Sequence, residues 1–331
     1  MWPQGVCTAL RSSGRMAWRT YATAAKVDIG ALKRVRQLNP VPISKAKEAL
    51  LSTDNSVERA LEWLEKDALV SGAHKAEKVK DRVAAEGAVS VHTNSTLTAA
   101  AIVELGCETD FVARNSTFVD LAARIARLGA DTVAGSKALA GIEPSELEAK
   151  ALDNRSVADT ITEAIGRLGE NIVLRRTAAV GVSGAIDSVV TGGYVHGSVP
   201  SSDGSGSAGK IGGVVALRSA IHSDEHRQTL HRLAKRLSQQ VVGYAPRFVR
   251  REEWENAVAS NAEEAGDPEA TVLEAQQFLF GGGSVAEVLA KHAADLGAPI
   301  EIASFVRFER GEGVAKQDKP SFAEEIQKQL S

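Results

Sequence analysis

The sequence predicts an α+β protein: a small three-helix head followed by a duplicated core of two α+β subdomains with antiparallel sheets. Three observations predict it. Short segments with helical apolar spacing fill the stretch from Ile29 to Leu64. Residues 102–125 lie on 214–237 without a gap, so that Ile102 meets Val214, Leu105 meets Leu217, Phe118 meets Leu230, Leu121 meets Leu233 and Ile125 meets Leu237. Residues 156–174 then lie on 284–302, in the same order. Two matching blocks in one order point to duplication of a unit made of a strand and long helix, then a helix and strand.

The chain opens differently. Residues 1–26 contain no Asp or Glu, carry Arg11, Arg15 and Arg19 on one helical face, and are rich in Ser, Thr and Ala. That composition marks 1–25 as an organelle transit peptide, and Arg19-Thr20-Tyr21 resembles a mitochondrial processing site, which places the mature protein in the mitochondrial matrix. Cys7 leaves with this segment. Cys107 alone forms no internal disulfide, in keeping with a reducing compartment.

The head spans 28–68. Ile29, Leu32 and Val35 recur at helix spacing, and the prolines of "LNPVP" (38–42) stop that helix. A second helix runs from Ser44 to Leu51. "TDNS" (53–56) caps a third with Val57, Leu61 and Leu64 on one stripe. Three short helices in this span resemble a ubiquitin-associated-type bundle. Residues 69–87, with "HKAEKVKDR" (74–82), form a charged connector, a solvated helix or linker.

Core subdomain 1 is assigned to 88–183, core subdomain 2 to 190–315, and a C-terminal tail to 316–331. In the second repeat block both copies open with a capping box, Ser156 with Asp159 and Ser284 with Glu287. Both end at a glycine, Gly169 or Gly297, where a left-handed residue closes the helix before a strand.

Composition narrows the function classes. A net charge of −3 gives no general reason to expect nucleic acid as a partner. No apolar run approaches the roughly 20 residues of a membrane-spanning helix. "GSGSAGKI" (204–211) nearly spells a phosphate-binding loop, but Ile211 replaces the magnesium-holding hydroxyl and a strand follows where a helix is required. It reads as a flexible loop joining two strands. His222, His226 and His231 lack a third metal ligand at a compelling spacing and read as a solvated helix start. Cys107 has no base partner and reads as a small buried residue. No active site assembles, so the sequence predicts a binding protein that is not an enzyme, with no cofactor and no metal.

"GCETDFVARNSTF" (106–118) leaves one question open. Phe111, Phe118 and Ile125 fall at heptad spacing, which would place Phe111 on the buried stripe. Against this, "RNST" (114–117) supplies a new helix cap that breaks the register. In the second repeat the stripe survives while Asp110 and Phe111 become His222 and Ser223. A ring the fold does not repeat, beside a carboxylate at a helix start, suits an interface anchor. Both readings stand at this point.

"CETDFVARN" (107–115) resembles the signature of elongation factor Ts, the guanine-nucleotide exchange factor of elongation factor Tu. "ALKRVRQLNPVPISKAKEAL" (31–50), "RVAAEGAVSV" (82–91), "IGRLGENIVLRR" (165–176), "GGYVHGS" (192–198) and "FVRFERGEG" (305–313) follow in that family's order, covering about 28 to 315. With the presequence, the chain looks like the mitochondrial form. The resemblance implies mitochondrial elongation factor Tu as partner, both GDP-bound and nucleotide-free. It implies that Asp110 and Phe111 are a wedge entering the partner's nucleotide-binding domain near its magnesium and phosphate site, with Thr109 and Val112 beside them. It also implies partner contacts at Leu168 and Gly169, at His196, and in the head at Arg36, Ile43 and Ser44.

Three departures qualify the resemblance. "NPVP" (39–42) stands where the family has "TGAG", and Ser44 replaces an apolar residue. The loop 199–209 is longer than in bacterial members. The bacterial coiled-coil insertion has no counterpart between Trp254 and Phe278, so dimerisation through it is not expected. Two other readings remain: a ubiquitin-binding adaptor with the body as scaffold, although "NPVP" lacks the loop usual in ubiquitin readers, and a small-molecule enzyme using His222, His226 and Cys107.

Overall fold

A computed structural model describes residues 26–39, 41–134, 142–181, 189–202, 204, 206–260 and 266–314. The segment 1–25, expected to be a transit peptide, and the expected tail 316–331 lie outside the described residues. The described residues divide between Lys66 and Asp67 into two compact units.

In the first unit, α1 (Ile29–Leu38), α2 (Ile43–Ser52) and the start of α3 (Val57–Val79) bury Ala31, Val35, Ala46, Ala49, Leu50, Ala60 and Leu64 together. Asp28 caps α1 by accepting from the Gly30 N–H. Ile29 departs from the expected stripe. It is 80% exposed, because a first-turn side chain leans toward the helix N-terminus and past the packed turns.

The helix α3 does not stop at residue 68. It runs unbroken to Val79 through Ala, Lys and Glu, all good helix formers, so most of the expected connector is helix. Nor is that stretch solvated all round. Gly72 meets α7 (Val157–Leu168) so closely that a Cβ there would lie 2.6 Å from the Thr162 carbonyl oxygen, and Lys75 donates to the Gly166 carbonyl at 2.5 Å.

The second unit shows the duplication directly. Its first half comprises β1 (Glu86–Thr93), β2 (Ala99–Cys107), α4 (Asp110–Ala113), α5 (Ser116–Val133), α6 (Pro144–Glu148), the small hairpin β3 (Ala151–Leu152) and β4 (Arg155–Ser156), then α7 and β5 (Val173–Gly181). Its second half comprises β6 (Val189–His196), β7 (Val199–Pro200), β8 (Ser207–Gly209), β9 (Ile211–Arg218), α8 (Asp224–Tyr244), α9 (Arg251–Ala259), α10 (Pro268–Thr271), α11 (Val285–Leu296) and β10 (Glu301–Glu309). The sheet orders β5-β2-β1 and β10-β9-β6 are the same order twice, all antiparallel. Between Trp254 and Phe278 the described helices are only α9 and the single-turn α10; residues 261–265 lie outside the description.

The two halves are not separate bodies. Val89, Ala100, Ile102 and Val180 of one sheet pack on Val189, Val214, Ala216 and Phe308 of the other. Helices α5 and α7 cover the outer face of the first sheet, and α8 and α11 that of the second. β2 is therefore buried along its whole length, with alternate residues in two cores.

The expected boundary between the subdomains is also crossed. β8 pairs with β1, and β7 with β8, so residues from the second half extend the first sheet. The Ser/Gly segment read as a flexible loop is in part this strand. Its Ser207 carbonyl accepts from the Ser90 hydroxyl at 2.9 Å, and Ser202 donates from backbone and hydroxyl to Asp120 at 2.7 and 2.6 Å.

The helix caps follow the repeat with one correction. Gly169 (φ 78°) and Gly297 (φ 67°) both close their helices in the left-handed region. The reciprocal capping box forms only at Ser284 and Glu287. At Ser156 the hydroxyl accepts from the Asp159 N–H, but the shorter Asp159 carboxylate takes the Ser156 hydroxyl instead of reaching the cap backbone.

Candidate partner-binding site

β2 ends at Cys107, whose side chain lies in the core under α5. Burial and the nearby Glu170 carboxylate push its thiol up to about 12, and the Sγ donates to the Thr109 carbonyl at 3.2 Å. A thiol so held is neutral and inert. The chain then turns at Thr109, in an extended conformation, and makes the single helical turn α4. Arg114 ends that turn, and Asn115 caps α5 by accepting from the Thr117 N–H at 2.9 Å.

One turn distributes its side chains all round. Ala113 is buried and Val112 packs half-buried against the core, which leaves Phe111 on the opposite side, 84% exposed. The cap at Asn115 resets the helix direction, so the buried stripe begins at Phe118. The reading of Phe111 as core is overturned. Asp110 beside it is partly exposed and faces Arg114 at 3.5 Å, an ion pair open to water that contributes little to stability.

A second turn lies against the first. α7 ends with Leu168, half-buried against the same core, and the exposed Gly169. Glu170 follows. Its carboxylate accepts from the Glu108 and Thr109 N–H groups at 3.1 and 3.0 Å and from the Thr109 hydroxyl at 2.5 Å. In return the Glu108 carboxylate accepts from the Asn171 N–H at 2.7 Å. The Asn171 side-chain amide donates to the Arg82 and Lys80 carbonyls at 2.8 and 3.3 Å. Thr109, Asp110, Phe111, Val112, Leu168 and Gly169 thus form one patch.

His196 ends β6 and is exposed, 3.5 Å from the Tyr194 hydroxyl. It lies at the same end of the two sheets. Its carbonyl accepts from the Lys210 N–H, the Lys210 carbonyl accepts from the Arg310 N–H, and the Arg310 side chain pairs with Glu86 at 3.1 Å, which stands opposite Cys107. A buried charge cluster supports this end. Glu104, 1% exposed, is held by Arg175, by Arg176 at 2.5 Å and by the Gly311 N–H at 2.8 Å.

In the head, Ile43 and Ser44 begin α2 and are exposed. Arg36 is exposed on α1 with its Nε 3.4 Å from the Val41 carbonyl. All three are displayed on their own unit.

No group of three His, Cys, Asp or Glu that could hold a metal occurs among the described residues. The His222 and His226 rings meet edge to face at 5.7 Å, while the His231 Nδ1 bonds the Thr191 carbonyl at 2.8 Å. Cys107 belongs to the other half's core. Sequence reasoning missed Glu108, Glu170, Asn171, Lys75 and Glu104. The signal was present in "GEN" (169–171) directly after the closing glycine, but its partners lie far away in the chain.

A family model described as Elongation factor TS matches residues 108–271. The chain is 33% identical over 330 residues to "Elongation factor Ts" of Rhodopseudomonas palustris (strain BisB18), covering 91% of this chain and 97% of that protein. It is 33% identical to that of Rhodospirillum rubrum, covering 92% and 99%. It is 30% identical to that of Clostridium perfringens (strain ATCC 13124), covering 90% and 97%.

Proposed function

Because the chain belongs to the elongation factor Ts family, we propose that it is the guanine-nucleotide exchange factor of a translational elongation factor Tu, that it acts in the mitochondrial matrix, and that it works by binding rather than by covalent chemistry. The observation that carries this reading is the 84% exposure of Phe111 beside Asp110, on a turn whose Val112 and Ala113 side chains pack inward. A large ring held in water on a fixed turn is a surface waiting for a pocket.

The chemistry required is differential binding. A factor that prefers the empty or distorted partner weakens that partner's hold on GDP by the same factor, by linkage. A thousandfold effect needs about 4 kcal/mol. Burying Phe111 in a partner pocket contributes roughly 1.5–3 kcal/mol of this. The remainder falls to Asp110, set against the partner's magnesium site, and to Leu168, Gly169 and His196 at the same end of the core. Arg36 and Ile43 add contacts from the head. No cofactor enters this account.

The test is release of a fluorescent GDP analogue from elongation factor Tu, using the chain from about Val27 and its Phe111→Ala variant. Fast release by the first and slow release by the second, at equal melting temperature, is the expected result. Absence of any acceleration by the unmutated chain overturns the reading. The acid-free, arginine-bearing segment 1–26 supports the mitochondrial assignment. A fluorescent fusion of that segment that stays outside mitochondria would remove it.

A further inference from the structure

We propose that Glu170 is a positioning residue for the exposed Phe111, and that it locks the 108–113 and 168–171 turns into one rigid contact surface. This rests on the exchange-factor reading above. The starting point is an energetic difficulty. α4 has four residues, too few to hold a helical turn unaided, since fixing the first turn costs more than its hydrogen bond returns. Yet Phe111 needs a fixed direction to act as an anchor.

The geometry supplies what the helix lacks. Both oxygens of Glu170 are used on the two residues that precede α4: one takes the Glu108 and Thr109 N–H groups, the other the Thr109 hydroxyl proton. That last bond orients Thr109. With its proton committed to Glu170, the hydroxyl oxygen presents a lone pair to the Val112 N–H at 3.4 Å, which is the cap of the turn carrying Phe111. A carboxylate receiving three donors makes strong, charge-assisted bonds.

The clamp is reciprocal. Glu108 returns a bond from the Asn171 N–H, and Arg82 lies 3.6 Å from the Glu108 carboxylate. Asn171 in turn is pinned to the backbone at 80 and 82. Lys75 holds the last turn of α7 through the Gly166 carbonyl. The Leu168–Gly169 turn and the Phe111 turn therefore keep one spacing, and a partner meets both at once without ordering either.

Glu170→Ala, Glu170→Gln and Glu170→Asp test this, each alone and the first also combined with Phe111→Ala. Release of fluorescent GDP from elongation factor Tu is measured together with amide hydrogen exchange of the free proteins. Glu170→Ala is expected to slow release by about tenfold or more, as misplacement of a contact group does. Protection should fall at 108–113 and 168–171 while β2 and α5 stay protected. Glu170→Gln keeps one acceptor oxygen for the Glu108 and Thr109 N–H groups but turns an amide donor toward the Thr109 hydroxyl, so it should recover only part of the rate. The double variant should lose less than the product of the two single losses, because Glu170 acts in part through Phe111.

Full-rate release by Glu170→Ala, unchanged protection at 108–113, or losses that multiply in the double variant would each overturn the proposal. If Glu170→Ala unfolds the core, Glu170→Asp decides. It keeps the charge and shortens the reach, so slowed release with an intact melt supports positioning, and full-rate release refutes it. If the unmutated chain releases no GDP, the exchange-factor reading fails instead, and the amide protection by itself judges the clamp.

Discussion

Phe111 and Phe118 fall one heptad apart in the sequence, yet the first is 84% exposed and the second fully buried. The Asn115 cap between them separates the two environments. Phe118→Ala should cost about 3–5 kcal/mol, as loss of a core ring does. Phe111→Ala should change stability by less than about 0.5 kcal/mol, as an exposed substitution does. Urea unfolding of both variants checks this, and equal losses would place Phe111 back in a core.

Gly72 on α3 approaches the Thr162 carbonyl of α7 too closely for any side chain. Alanine gains about 1 kcal/mol of helix propensity over glycine at an ordinary position. Here the obstacle is backbone, which cannot rotate away, so overpacking of roughly 1–3 kcal/mol prevails. Gly72→Ala should lower the melting temperature and expose the α7 amides to exchange. A more stable variant would show that the helices separate in solution.

Glu104 is buried between two arginines at the shared end of the sheets. Removing one member of such a cluster leaves buried charge without compensation, so Glu104→Ala should cost about 3–5 kcal/mol. Because the same carboxylate binds the Gly311 N–H, the loss should also free the turn after β10, readable as faster amide exchange at 310–313. Stability within error of the unmutated chain would mean the cluster is solvated.

The Cys107 thiol titrates near 9.0 when exposed and is pushed up to about 12 by burial. The folded protein therefore holds this proton more tightly than the unfolded chain. The associated stability is complete below pH 9.0 and is lost as pH rises toward 12. Cys107→Ala should flatten the stability curve over that window. In the unmutated chain beginning near Val27, a maleimide should label Cys107 at pH 8 only after denaturation, and rapid labelling of the native protein would contradict the burial.

Much of the fold was legible because duplication writes the same local code twice. Heptad stripes, glycine closures and apolar strands each depend on neighbours a few residues away, so the repeat of 102–125 at 214–237 and of 156–174 at 284–302 located β2 with α5, β9 with α8, and both α7–β5 and α11–β10 units. The head helices were legible for the same reason, down to the proline stop after Leu38.

What lay beyond the sequence depends on contacts between distant residues. That α3 beyond residue 68 packs at Gly72 against α7 depends on a residue 90 positions away, and whether 199–209 is loop or strand is decided by the open edge of β1. For Phe111 the sequence held two opposed local signals, heptad spacing that put it on the buried stripe and the "RNST" cap that took it off, and which one prevails is decided by how the turn packs on the core. Glu170 lies 61 residues from Thr109. No local pattern couples them, and only a fold that ends β2 beside the end of α7 brings that carboxylate to the turn it holds.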